Sequence, residues 1–290
     1  MVVRSARTEQ MYEVILKKIR DGIAPGSSGL LFLADTERVV GWIEGQPWAL
    51  NTKKGVYIAL KSLLRDAADP ALAAAESAYN EKMVSYNAEY SKILAEQQLT
   101  DRERKLYVPW GRIRAADEKL RVGVKDWEEQ QEYVIYCLYT KAAPVRLDYS
   151  PMAVAQDARD VGLTGNWLLA FGETWHFLFR DYKTAHKYGE LKVAIAPVLR
   201  SVLSDWLELN DSGWLLLSPN GQPMTEKALG KAITRIFLRA TGRALGVNML
   251  RHSYITHKRR GEKSFKEQAE MAKAMGHSVG MSALYRRLDG

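Results

Sequence analysis

Between residues 167 and 195 the apolar positions of this chain leave helical spacing and alternate with polar ones, in the stretch that ends HFLFRDYKTAHKYGELKVAIAP. A period of two places successive side chains on opposite faces of an extended strand, and a polar turn containing glycine lets such a strand fold back. The segment therefore predicts a small antiparallel sheet with strands at 167–171, 176–182 and 191–195. Nearly everywhere else apolar residues recur three and four apart, so the chain has to be mainly α with one small sheet.

The helical part begins at 9–20, where Met11, Val14, Ile15 and Ile19 share a face, and the run APGSSG at 24–29 breaks it. Segments 30–43 and 51–64 repeat the amphipathic pattern, the second capped by Asn51-Thr52. An Ala-rich stretch at 70–98 carries Tyr79, Tyr86 and Tyr90 and reads as one helix or a helical pair. The run DRERKLYVPWGRIR follows, basic and interleaved with Tyr107 and Trp110, whose rings suit either a core or a nucleic-acid face. Charge and Gly123 interrupt the periodicity at 117–125, which sets the expected division at 1–118 and 119–290. Helices are then expected at 127–139, 197–209, 225–241, 247–259, 264–275 and 280–287.

With 290 residues the chain is long enough for two cores. Its 42 Lys and Arg against 34 Asp and Glu leave a formal charge of +8, which attracts polyanions without identifying one. Cys137 is the one cysteine, so neither a disulfide framework nor a cysteine metal site is available, and a reducing intracellular setting is expected. The five histidines lack metal-ligand spacing, hence no metal or other cofactor is expected. The polar, basic start predicts no signal peptide, and no apolar run reaches the length of a membrane span.

The end of the sequence carries the chemistry. Arg251 and His252 lie in NMLRHSYIT, Met275-Gly276-His277-Ser278 follow, and Tyr285 comes shortly after. Arginine binds phosphate oxygens bidentately and a tyrosine oxyanion can displace a sugar oxygen, so this order of residues can assemble around one phosphodiester. Upstream, YCLYTKAAPVRL places Arg146 just after an apolar helix, and Lys183-Thr184 lies at the hairpin.

Together these pieces resemble the C-terminal box of the tyrosine recombinases, the integrase family that cuts and rejoins DNA. Its pattern runs roughly H-x-L-R-H, L-G-H-S, Y, matched here by NMLRH, AMGHS and ALY, with a first arginine after an apolar helix and a lysine in a K-T phrase on a hairpin. The resemblance implies an N-terminal helical core-binding domain that closes on DNA and a C-terminal catalytic domain. It gives Arg146, Lys183, Asn248, Arg251, His277 and Tyr285 as the catalytic set, with Lys187 and Lys192 as competitors for the lysine's place and Tyr254 as the fallback nucleophile. Two arginines and a lysine then supply the positive charge that a metal ion provides elsewhere.

Backbone contacts to DNA are assigned to Lys53, Lys54, Lys61, Arg65, Arg112, Arg114, Lys187, Lys258, Arg259 and Arg260. The implied partners are duplex DNA, further copies of the chain assembled as a tetramer on it, and accessory DNA-bending proteins. This chain departs from the pattern at Asn248, where histidine is usual, and at Tyr149, where an acidic residue is usual and Asp148 is the nearest carboxylate. The spacing from His277 to Tyr285 is one residue short, and the end at Gly290 leaves little room for a tail passed to a neighbour. These departures keep a catalytically silent DNA-binding relative in view, and shared chemistry keeps a type IB topoisomerase in view.

Overall fold

A computed structural model describes residues 4, 6–97, 99–124, 126–259, 265–276 and 278–286. The chain divides into two compact units, Met1–Glu96 and Gln97–Gly290.

The first unit is helical, built from α1 (Ala6–Ile23), α2 (Thr36–Glu44), α3 (Leu50–Ala67) and α4 (Ala73–Glu96). Asp35 caps α2 by accepting from Arg38 N–H, which fixes where that helix starts. Asp69 and Pro70 open a short 3-10 turn ahead of α4, so the Ala-rich stretch is a single long helix entered through a turn. Apolar faces of all four helices meet around Ile19, Leu33, Val39, Ile43, Tyr57, Leu60 and Tyr79, each fully excluded from water. A carboxylate is held at the edge of this core: Glu44 accepts from the Tyr57 hydroxyl at 2.8 Å, from Tyr86 and from Lys53 Nζ at 3.2 Å. Burial pushes the Glu44 carboxyl up, but those three donors outweigh it and hold the group below the ordinary carboxylate range.

The second unit opens with α5 (Asp101–Leu106), α6 (Trp110–Arg114) and α7 (Asp117–Val122), followed by α8 (Trp127–Thr140). Strands β1 (Met152–Ala155), β2 (Asn166–Leu169) and β3 (His176–Phe179) precede the single-turn α9 (Ala185–Tyr188) and β4 (Leu191–Ala194). The remainder is α10 (Pro197–Leu209), α11 (Glu226–Thr241), α12 (Val247–Lys258), α13 (Phe265–Ala274) and α14 (Val279–Tyr285). Residues 133–140 of α8 are all buried, which makes it the central helix of the unit. Its Tyr136 and Cys137 pack in one core with Phe237 of α11 and Trp206 of α10.

One expectation is corrected here. The sheet is four-stranded in the order β1-β2-β3-β4, and β1 pairs parallel to β2 with Met152 opposite Asn166, so it is mixed rather than purely antiparallel. The run MAVA is too short and too uniformly apolar to announce a strand by alternation. Ahead of the division expected at 118, Val108, Trp110, Ile113 and Ala116 are buried with Leu120 in the second unit's core. A basic surface sequence over 101–114 conceals that apolar stripe.

Candidate active site

α12 sets the centre of the site. Helical spacing turns Arg251 inward, and it is fully buried. Its Nη1 donates to the Pro144 carbonyl at 3.0 Å and its Nη2 to the Met275 carbonyl at 3.4 Å, so one guanidinium ties the loop after α8 to the turn after α13. Among the described residues its buried Nε has no hydrogen-bond partner. Burial pulls this guanidinium below its ordinary value, while the Tyr285 side chain, by charge and hydrogen bond, pulls it back up. The Tyr285 ring lies across the guanidinium, 5.1 Å from its central carbon to the ring centroid. The neighbouring His252 also meets the end of α14: its Nδ1 donates to the Tyr285 backbone carbonyl at 2.7 Å, and the two rings sit 4.8 Å apart.

Arg146 arrives from the end of α8. The Tyr139 hydroxyl donates to its carbonyl at 2.6 Å and its own N–H donates to Asp148 Oδ2 at 3.0 Å, which fixes the bend that aims the chain back at α12. Burial raises the Asp148 carboxyl, opposed by the hydrogen bond from Arg146 N–H and by the charges of Arg146 and Arg251. Tyr149, in the place where the family carries an acid, is instead core: its ring packs 5.5 Å from Tyr139 and 5.1 Å from Phe177.

The hairpin reaches the turn after α13 through a threonine side chain. Beyond β3 the chain turns at Lys183-Thr184 before α9, and Thr184 Oγ1 donates to the Gly276 carbonyl at 2.7 Å. Gly276 has φ of +66°, and a Cβ there would meet the Tyr182 ring at 3.3 Å, so only glycine permits this approach. The Lys183 side chain is exposed in that turn. Lys187 lies on α9 beside its own neighbour Tyr188, and Lys192 is exposed on β4. Asn248 is exposed in the first turn of α12. Ser278 Oγ accepts from Met281 N–H at 3.2 Å and serves as the cap of α14. His277 lies outside the described residues, as does Arg260.

Of the proposed backbone-binding cations, Lys54, Lys61 and Arg65 recur along one stripe of α3, whereas Lys53 is turned to Glu44. In the second unit Arg114 and Lys258 line a cavity of about 680 Å³ together with Trp110, Lys141, Tyr254 and His257, and Lys141 there pairs with Asp117 at 2.7 Å. Arg112 and Lys187 are exposed, and Arg259 donates to Gln268 at 3.0 Å. Trp110 is buried with its ring edge-on to Tyr254 at 5.1 Å, which settles it as core, and burial raises the Tyr254 hydroxyl. Burial likewise pushes the Cys137 thiol up to about 12, which makes it unreactive. Among the described residues no cluster of His, Cys, Asp or Glu suits a metal ion, and no helix is long and apolar enough to cross a membrane.

Sequence reasoning missed Glu103 and Thr184. Thr100-x-x-Glu103 is legible as a helix cap, but nothing in the sequence shows that Glu103 also faces His252, with Oε1 at 3.8 Å from Nε2.

No protein-family model matches this sequence, and no curated protein matches it. Solved structures do match it in fold. The XerH site-specific recombinase bound to difH substrate in a pre-cleavage complex superposes with a TM-score of 0.53 at 16% identity, over 96% of this chain and 76% of that one. The same recombinase in a post-cleavage complex with palindromic difH gives 0.51 at 18% identity, over 97% and 74%. The XerA recombinase is aligned over 99% of this chain and 88% of its own, at 13% identity and a TM-score of 0.45. The chain thus has the fold of the XerH recombinase.

Proposed function

We propose that this chain is a tyrosine recombinase that cleaves and rejoins duplex DNA through a 3′-phosphotyrosine intermediate. The observation that carries the reading is the stacking of Tyr285 on the buried Arg251, which sets a phenol oxygen beside a guanidinium as attack on a bound phosphodiester requires.

In this reading Arg146 and Arg251 hold the non-bridging oxygens of the scissile phosphate and offset the charge that grows on them. Arg251 has no exposed surface, so the phosphate enters by displacing the Tyr285 ring from the guanidinium face, towards the unpaired Nε. The Tyr285 phenol then gives up its proton to solvent as its oxygen attacks phosphorus, the bond to the sugar 5′-oxygen breaks, and Lys183 supplies the proton that makes the 5′-hydroxyl. The phosphodiester energy stays in the tyrosyl link, so a second 5′-hydroxyl reverses the step on another strand without ATP. Asn248, exposed at the start of α12, donates its amide to the phosphate where a histidine is usual, and His277 completes the set. The cations of α3, with Arg112, Arg114, Lys187 and Lys258, contact the DNA backbone. Tetramer formation on DNA and DNA-bending partners belong to the same reading.

The test is a duplex nicked beside the cleavage site, which traps the covalent intermediate because the short 5′ fragment diffuses away. The wild-type chain should form a denaturant-resistant adduct, and Tyr285→Phe should bind the same duplex and form none. Adduct surviving in that variant would move the nucleophile elsewhere. A wild-type chain that binds DNA but never forms adduct would make it a silent DNA-binding relative.

A further inference from the structure

His252 lies between two groups from distant parts of the second unit. On one side its Nδ1 faces the backbone carbonyl of Tyr285 at 2.7 Å, and a carbonyl only accepts, so the proton must be on Nδ1. On the other side its Nε2 faces Glu103 Oε1 at 3.8 Å. The ring is nine-tenths buried, so this carboxylate acts on it with little screening.

The carboxylate is itself held on the opposite edge. Glu103 Oε2 accepts from Thr100 N–H at 2.9 Å and from Thr100 Oγ1 at 3.0 Å, closing the cap of α5 and leaving Oε1 directed at the imidazole. Two further contacts pin this short helix in place. Arg243 Nη1, just past the end of α11, donates to the carbonyls of Arg104, Lys105 and Tyr107, and Ser253 Oγ, next to His252, donates to the Val108 carbonyl at 2.7 Å. A helix cap needs neither.

We infer that Glu103 is a positioning residue that acts through His252 on Tyr285: the carboxylate at Nε2 and the Tyr285 carbonyl at Nδ1 fix the ring's orientation from its two edges, and the ring holds the nucleophile-bearing end of α14 against Arg251. It touches neither the phosphate nor the attacking oxygen. The inference rests on the recombinase reading for its catalytic consequence but not for its structural one.

Glu103→Gln separates this role from capping, since glutamine in the third position serves a capping box as well as glutamate does. The substitution keeps the cap and removes the charge. The imidazole nitrogens of His252 are observed by ¹⁵N NMR in the free full-length protein, and adduct formation on the nicked duplex is timed alongside DNA affinity. The expected result is a shifted Nε2 signal of His252 as its carboxylate partner is lost, with unchanged affinity and adduct formation slowed about tenfold or more, the scale on which small misplacements of a reacting group act. Glu103→Asp, which restores the charge at a shorter reach, should recover part of the rate. A Gln variant with wild-type His252 signals overturns the inference, and so does one with altered signals but a wild-type rate. Should the wild-type chain form no adduct on any nicked duplex, the recombinase reading fails, and the His252 signals still decide whether Glu103 and Tyr285 are linked through that ring.

Discussion

The two arginines of the site do different structural work, and their variants should reveal it. Arg251 is fully buried and satisfies the carbonyls of Pro144 and Met275, so removing it strands two buried acceptors and leaves a void. Arg146 is only partly buried, and its described hydrogen bonds run through its backbone. Arg251→Ala should therefore cost about 3 kcal/mol or more, lowering Tm by roughly 6 °C or more, in addition to abolishing cleavage. Arg146→Ala should slow cleavage by about two orders of magnitude with Tm nearly unchanged, the scale of a lost transition-state donor. Thermal melts and single-turnover cleavage on both proteins check this, and equal Tm losses would contradict it. The sequence proposes these residues because Arg, His and Tyr in that order have few other chemical uses. Their burial was not legible: sequence spacing says which face of a helix a residue lies on, not that α14 comes back to cover Arg251.

At the scale of elements, the approach of the β3–β4 turn to the end of α13 depends on one glycine. Gly276 adopts a left-handed φ of +66° with the Tyr182 ring in the space a side chain would fill, and its carbonyl receives Thr184. Gly276→Ala should cost about 1–2 kcal/mol for the backbone alone. It should also slow adduct formation by pushing the Lys183 turn away, which single-turnover cleavage on the nicked duplex checks. The first unit offers a pH signature. Because Glu44 sits below the ordinary carboxylate range, its contribution is fully present above that range and is lost as the pH falls through the lowered value. Tm should drop on acidification through that window, and Glu44→Gln should flatten the drop. Helices were the most readable elements, since 197–209 was expected and Pro197–Leu209 is found, with Pro197 marking its start. β1 was not readable, because a four-residue strand at a parallel edge carries no alternation, and pairing with β2 decides its conformation.

For the whole molecule the informative question is where the second unit begins. Composition places the break near residue 118, where charge and glycine interrupt the pattern, yet α5 to α7 contribute Val108, Trp110, Ile113, Ala116 and Leu120 to the core that contains Tyr136 and Phe237. They also carry the acceptors for Arg243 and Ser253 and the carboxylate facing His252. A fragment starting at Lys119 discards all of these but Leu120. Loss of a buried aromatic alone costs about 3–5 kcal/mol, and a domain holds a surplus of only about 5–15 kcal/mol. Residues 97–290 should therefore melt in a single cooperative transition, while residues 119–290 should show none, or one far lower in temperature, by circular dichroism at matched concentration. A 119–290 fragment as stable as 97–290 would mean that α5 to α7 are ornaments on the second unit's core, and would remove the scaffold on which Glu103 meets His252.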